Sequence, residues 1–442
     1  MPLIDQAIVP ILGIDSVEKW AGPPKICAPR GVAIQFGQLF CKALIALQAL
    51  CFAVNYSYAQ SDRGTRRSDP AQVRPEIGSL RSKSNSTGSV PEITTAMRQA
   101  GVMAPPAIGA VSKNGIYNWS PAYVVTSMVF LLETTGDEKW AAAIVDWAEQ
   151  ALAERDAIST TDNQPYAWTD RSSRVLTPYV WIAFTGHNFA PLMQFSSYVV
   201  HHRKLGAQAY RGRSYRDYAL AYIREFTRAL DVDKAELSTD KRHAYFRFAH
   251  SVPVKSSTIN GQPLPVNMNA GLFMTILHLA RAEAAAGRPG VAARLFELVT
   301  KFVTYIKDDV LVHRPCGDRT CTLWRYSAYY SRFEDIGHAN LTVKFLVDAN
   351  DNGFDVNRDD IVNVANTFDN LIDADGTIRG NLLDGTTIAG QRNSIYFVFL
   401  LGRYSPSLKA KLERIITGSK NFAYWGTWLK IAETAHFERQ TR

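Results

Sequence analysis

The stretch Thr135-Gly136-Asp137-Glu138-Lys139-Trp140-Ala141-Ala142-Ala143-Ile144-Val145-Asp146-Trp147-Ala148-Glu149-Gln150-Ala151-Leu152 sets a short polar turn before an apolar repeat of helical period. Trp140, Ile144, Trp147, Ala148 and Leu152 fall on one face of a 3.6-residue repeat. A second apolar segment, residues 121–134, precedes the turn. The spacing therefore predicts a hairpin of two helices, 121–134 and 138–154.

The same unit recurs along the chain. The second hairpin is expected at 187–205 and 214–230, and the third at 267–287 and 291–307. The fourth is expected at 333–350 and 358–372, around Asn352-Gly353. The fifth is expected at 392–402 and 406–417. There Ser405 caps, Pro406 suits the first turn and Gly418 ends the helix. A helix near 420–437 is expected to pair with one around 91–101. Units about 60 residues apart with long polar connections exceed the period of common solenoids. The connections between hairpins would gather on one face, where loops carry function.

Outside this region the composition changes. Of 442 residues, 46% are apolar and the net charge is +8, enough apolar chain for a large core. No run of 18 apolar residues marks a membrane span. Leu44–Val54, with Lys42 before it and Ser57-Tyr58-Ala59 after it, reads as a secretion signal. Residues 1–31 do not fit such a signal, so the functional start is expected near Val32. Cleavage near Ala59 would give a periplasmic or secreted protein with 45 basic and 38 acidic residues, a net charge of +7. It would also leave only Cys316 and Cys321, whose spacing in an exported chain predicts a disulfide rather than zinc. Residues 60–90 are rich in Ser, Arg, Gly and Pro and read as a disordered linker. The domain organisation is thus expected to be 1–59 upstream segment and signal, 60–90 linker, and 91–442 a helical domain.

The densest chemistry lies at Trp324–Asn340. It holds Tyr326, Tyr329, Tyr330, Arg325, Arg332, Glu334, Asp335 and His338. A carboxylate three or four residues before His338 can orient the imidazole. Ser331 and Glu334 also have capping-box spacing, which assigns Glu334 a structural role. Asp348, Asn350 and Asn352 match the first half of a calcium loop, but Asp359 stands where the usual Glu would be. No other cofactor or metal is indicated. Phosphate-loop, dinucleotide, HExxH and nucleophile-elbow motifs are missing, and the basic residues are scattered, which argues against nucleic acid.

The hairpin pattern over about 115–435 resembles the six-hairpin alpha/alpha toroid superfamily. The resemblance rests on Thr135-Gly136-Asp137, Thr185-Gly186-His187, Pro265-Val266-Asn267-Met268-Asn269 and Glu334-Asp335-Ile336-Gly337-His338-Ala339. It implies an all-α toroid of five to six hairpins whose inner helices start at a central cleft. That superfamily includes polysaccharide lyases, glycosidases and the helical domain of glucuronyl C5-epimerases. It implies action on an acidic, uronic acid polysaccharide by β-elimination or C5 epimerisation. Tyr326, Tyr329, Tyr330 and His338, with Glu334 and Asp335, are the candidate proton-transfer groups. His187, Asn188, Asn267, Asn269, Arg325, Arg332, Arg392 and His250 are candidates for holding the substrate, its carboxylate included, and Trp168 for stacking on it. Two rival readings are a glycoside hydrolase using a pair among Asp162, Asp170, Glu334 and Asp335, and a non-catalytic glycan-binding or export-accessory protein.

Overall fold

The computed structural model describes residues 119–171, 176–249, 259–328, 333–382, 395 and 397–418. All belong to the unit Ser82–Arg442. The proposed signal, the linker, and the helices near 91–101 and 420–437 lie outside the described residues.

The chain is largely helical. Nine longer helices are labelled among the described residues: α1 (Trp119–Thr135), α2 (Glu138–Ala153), α3 (Ile182–His201), α4 (Tyr215–Asp233), α5 (Val266–Ala285), α6 (Pro289–Tyr305), α7 (Ala339–Asp351), α8 (Arg358–Leu371) and α9 (Pro406–Gly418). A 3-10 helix, Phe397–Arg403, precedes α9. Four of the five expected hairpins have two α-helical arms; in the fifth the first arm is the 3-10 helix Phe397–Arg403, and residues 392–394 and 396 lie outside the described residues. Their turns have local causes. Asp137 accepts from Lys139 N to cap α2, and Ser214 and Asn357 form capping boxes at α4 and α8. Gly353 ends α7 at φ +75°, a conformation that favours glycine.

The first helices of the hairpins form a continuous inner series. α1 packs on α3, α3 on α5, α5 on α7, and α7 on the 3-10 helix. Tyr123 of α1 also reaches Phe397, ring centroids 5.2 Å apart. Each second helix packs on its own partner. Burial follows this division. α5 is buried on every side from Val266 to Ala280, whereas α6 buries only Ala292, Val299, Phe302, Val303 and Tyr305. A helix apolar all round belongs inside, and one with an apolar stripe belongs at the surface. Small residues bring inner helices close: a Cβ at Gly186 would stand 2.3 Å from Leu272 Cδ2, and one at Gly271 would stand 3.2 Å from Leu341 Cδ1.

A polar seam crosses this interior. Lys344 is 1% exposed, bonds the Asp348 carboxylate, and stands 5.2 Å over Phe130 and 6.0 Å over Phe397. His278 Nε2 lies 3.2 Å from Asp348 Oδ2. Burial lowers the His278 pKa to about 4 against the pull of Asp348. Burial pushes the Asp348 carboxyl up, but Lys344 and His278 outweigh it and hold it far below its usual range. A buried charge survives only with such partners.

Three expectations need correction. The chain is largely helical rather than all-α, because the loops among the described residues are not all coil. They carry five antiparallel two-stranded ribbons: β1–β2 (Ala157–Ile158, Pro165–Ala167), β3–β4 (Thr169–Asp170, Tyr179–Val180), β5–β6 (Ala209–Tyr210, Arg213–Ser214), β7–β8 (Leu237–Thr239, Ala244–Phe246) and β9–β10 (Leu311–Cys316, Arg319–Trp324). α7 begins at Ala339, not near Phe333. Asp335 Oδ1 accepts from Gly337 N (3.1 Å) and His338 N (3.0 Å), which holds a turn in place of the first helical turn. The calcium-loop match lies within and at the end of α7. Asp348 is held by Lys344 and His278, Asn350 Nδ2 donates to Val356 O, and Asn352 Nδ2 donates to Asp348 O. These groups serve the helix end rather than a cation.

Cys316 and Cys321 are bonded across the β9–β10 turn. Among the described residues, no helix is long and apolar enough to cross a membrane.

Candidate functional site

β10 ends at Trp324 and delivers Tyr326 to the start of α5, where Val266 N donates to Tyr326 O at 2.7 Å. The turn 333–338 follows, pinned by Glu334 N to Trp324 O (3.1 Å) and Ile336 N to Gly380 O (2.7 Å). It places His338 at the start of α7. His338 Nδ1 lies 2.6 Å from Asp335 Oδ2, and both side chains are buried. Asp335 is acceptor-only when ionised, so the proton of the neutral ring sits on Nδ1 and leaves Nε2 as an acceptor. Nε2 is buried and has no hydrogen-bond partner. The Tyr326 ring stands edge-on to His338, centroids 5.7 Å apart at 90°.

α3 brings a second group. His187 and Asn188 are each 2% exposed, and Thr185 lies beside them, also buried. They do not open the helix. α3 starts at Ile182, a turn earlier than expected, so Asn188 is not its cap. Asn188 Nδ2 and Thr185 Oγ1 have no hydrogen-bond partner. His187 packs edge-on against Tyr123 of α1, centroids 4.8 Å apart. Tyr123 went unnoticed in the sequence. Its only signal is its place in the first turns of α1, matching that of His187 in α3. Asn267, in the first turn of α5, keeps a buried Oδ1 without a partner. Polar side chains thus stand near the starts of α1, α3, α5 and α7.

Glu334 is fully buried, with Oε2 accepting from Trp324 Nε1 and from Thr342 Oγ1 (3.3 Å). It does not cap α7 as its spacing suggested. Burial raises its pKa well above the carboxylate range, and the Asp335 charge adds to the effect.

Other candidates have structural duties. Asn269 Oδ1 accepts from Phe246 N (2.7 Å), and its Nδ2 donates to Phe246 O (3.1 Å) and Leu264 O (3.0 Å). That tie anchors β8 to α5 and leaves the side chain nothing to offer a substrate. Trp168 is buried with Nε1 donating to Ala151 O at 3.0 Å, so it packs in the wall and is no stacking platform. Arg325 is exposed. Tyr329, Tyr330, Arg332, Arg392 and His250 lie outside the described residues.

A separate cavity of about 540 Å³ is lined by Asp162, Arg224, Arg228, Lys234, Glu283 and Arg288, among others; of the sequence candidates it includes Asp162, and it includes neither Asp335, His338, His187 nor Asn188. Arg228 is held by Asp162 and Glu225, and Arg288 by Glu283. Among the described residues no group of three or more His, Cys, Asp or Glu side chains is placed to hold a metal ion. No protein-family model matches this sequence, and no curated protein matches it.

Proposed function

We propose that this protein is a carbohydrate-active enzyme of toroid architecture that removes the C5 proton of a uronic acid residue in a polysaccharide. β-Elimination or C5 epimerisation follows. The observation that carries this reading is the Asp335–His338 pair, with His338 Nε2 buried and unpartnered beside Tyr326. Asp335 fixes the tautomer that lets Nε2 accept a proton. Asn188 Nδ2 is a donor suited to the substrate carboxylate, which must be neutralised before its neighbouring C–H becomes acidic. In elimination the C5–H electrons form the C4–C5 double bond and the C4–O bond breaks. Tyr326 is the candidate acid for the departing oxygen. Epimerisation returns a proton to C5 from the opposite face instead.

The toroid is part of the proposal. The sequential packing of inner helices and the Tyr123–Phe397 contact support it. The rival hydrolase reading uses a pair among Asp162, Asp170, Glu334 and Asp335, and the first three make contacts of their own. Asp162 pairs with Arg228, Asp170 accepts from Trp181 Nε1 (2.8 Å), and Glu334 accepts from Trp324 and Thr342.

The test is incubation of purified protein with a panel of uronate polysaccharides. Ultraviolet absorbance reports an unsaturated uronate, and deuterium wash-in at C5 reports proton removal without cleavage. His338→Ala and Asp335→Asn should each lower either signal by about 10²–10⁴-fold with the fold retained. No signal of either kind on any polymer, or full activity in both variants, would sink the proposal.

A further inference from the structure

Glu334 has no part in that proton-transfer scheme, yet it joins the segment before Tyr326 to the starts of α5 and α7. Oε2 receives Trp324 Nε1 and Thr342 Oγ1, so it links the segment leading to Tyr326 with α7. Its backbone N–H donates to Trp324 O (3.1 Å), and its carbonyl accepts from Leu382 N (3.1 Å). The Asn267 backbone amide faces the carboxyl from the start of α5. Asp335 and His338 follow directly in the chain.

Two oxygens, Glu334 Oε1 and Asn267 Oδ1, are buried and make no hydrogen bond within the protein. Leaving a buried acceptor unpaired is costly. An ionised carboxylate brings only acceptors and cannot relieve either, whereas a carboxylic acid has one O–H to give.

We propose that Glu334 is a carboxylic acid whose O–H supplies the missing donor at the Asn267 junction, and that it is a positioning residue for Tyr326, Asn267 and the Asp335–His338 pair. Its fully buried setting next to Asp335 favours the neutral form. Asp335 is the carboxylate paired with His338. The positioning role rests on the reading of Asp335 and His338 as the proton-transfer pair; the protonated state does not.

Glu334→Gln separates the possibilities. The amide keeps an acceptor for Trp324 and Thr342 and supplies an N–H where the acid has its O–H. The infrared difference between wild type and this variant at pH 7 should contain the carbonyl stretch of a protonated carboxyl. The near-ultraviolet circular dichroism of the buried tryptophans should be unchanged in Glu334→Gln and altered in Glu334→Ala. On a substrate turned over by wild type, Glu334→Gln should keep the pH profile and stay within about threefold of the wild-type rate. An absent infrared band would overturn the protonated state. A folded but inactive Glu334→Gln would make Glu334 a proton-transfer group and overturn the positioning role. If no uronate polymer is turned over, the proposed function fails. The infrared band still decides the protonated state, and the dichroism of the two variants still decides whether Glu334 holds the junction.

Discussion

Replacing Lys344 with Met tests whether the inner helices share one interior. Lys344 is 1% exposed, and its ammonium is bonded to Asp348 of the same helix. It also faces Phe130 of α1 and Phe397 beyond α8, while His278 of α5 touches Asp348 from the other side. Met fills most of the aliphatic stem, so the cavity penalty is small. What remains is a buried Asp348 carboxylate that has lost its bonded ammonium. Removing one partner of a buried ion pair costs about 3–5 kcal/mol. At about 2 °C per kcal/mol for a domain of this size, the melting temperature should fall by roughly 6–10 °C. The sign of the pH dependence follows from His278. In wild type it is neutral above about pH 4. Without Lys344, Asp348 draws a proton onto it, and a raised folded pKa stabilises at low pH and is lost as pH rises. The loss measured by calorimetry should therefore be larger at pH 8 than at pH 5. Lys344→Met with Asp348→Leu removes both charges and should recover about half of the loss or more. A single variant within about 2 °C of wild type, or a double variant no better than the single, would refute the account.

Three further outcomes are expected. Gly186→Ala sets a methyl 2.3 Å from Leu272 Cδ2 and 3.2 Å from its Cα, so unfolding in urea should show a loss of about 1–3 kcal/mol. A variant as stable as wild type would mean that α3 and α5 do not pack so closely. Burial, then the charge of Glu236, raises the Asp233 pKa to about 8, while burial raises Glu236 to about 7. Both hold protons in the folded state that the unfolded chain releases near pH 4, so they cost stability as pH rises from about 4 to 8. Asp233→Asn with Glu236→Gln should flatten the fall in melting temperature between pH 5 and pH 8. An unchanged slope would count against it. Cys316 and Cys321 should give no free thiol before reduction, and their replacement by Ser should cost about 2 kcal/mol for so short a loop.

How much of this was legible beforehand depended on the range of the interaction. The hairpins were, because apolar period and turn residues act within a few positions. Trp140, Ile144 and Trp147 do face the core, and Ser405 Oγ does accept from Leu408 N at the start of α9. The Asp335–His338 contact was legible for the same reason, being three residues long. The Cys316–Cys321 bridge was too.

What the sequence alone could not decide were contacts between distant segments. Glu334 had the spacing of a cap, yet its carboxyl accepts from Trp324 at the end of β10 and from Thr342 of α7, two segments that only the tertiary structure brings to it. Asn269 looked like Asn267, but Phe246 lies over one and not the other. Trp168 looked available until Ala151 O claimed its indole N–H. Asp348 matched half of a calcium loop in one dimension and is the partner of Lys344 and His278 in three. Local periodicity and turn chemistry determined which segments are helices. Which polar side chains are used up inside the protein, and which remain for a ligand, was decided only when the helices packed and each buried donor and acceptor had to find a partner.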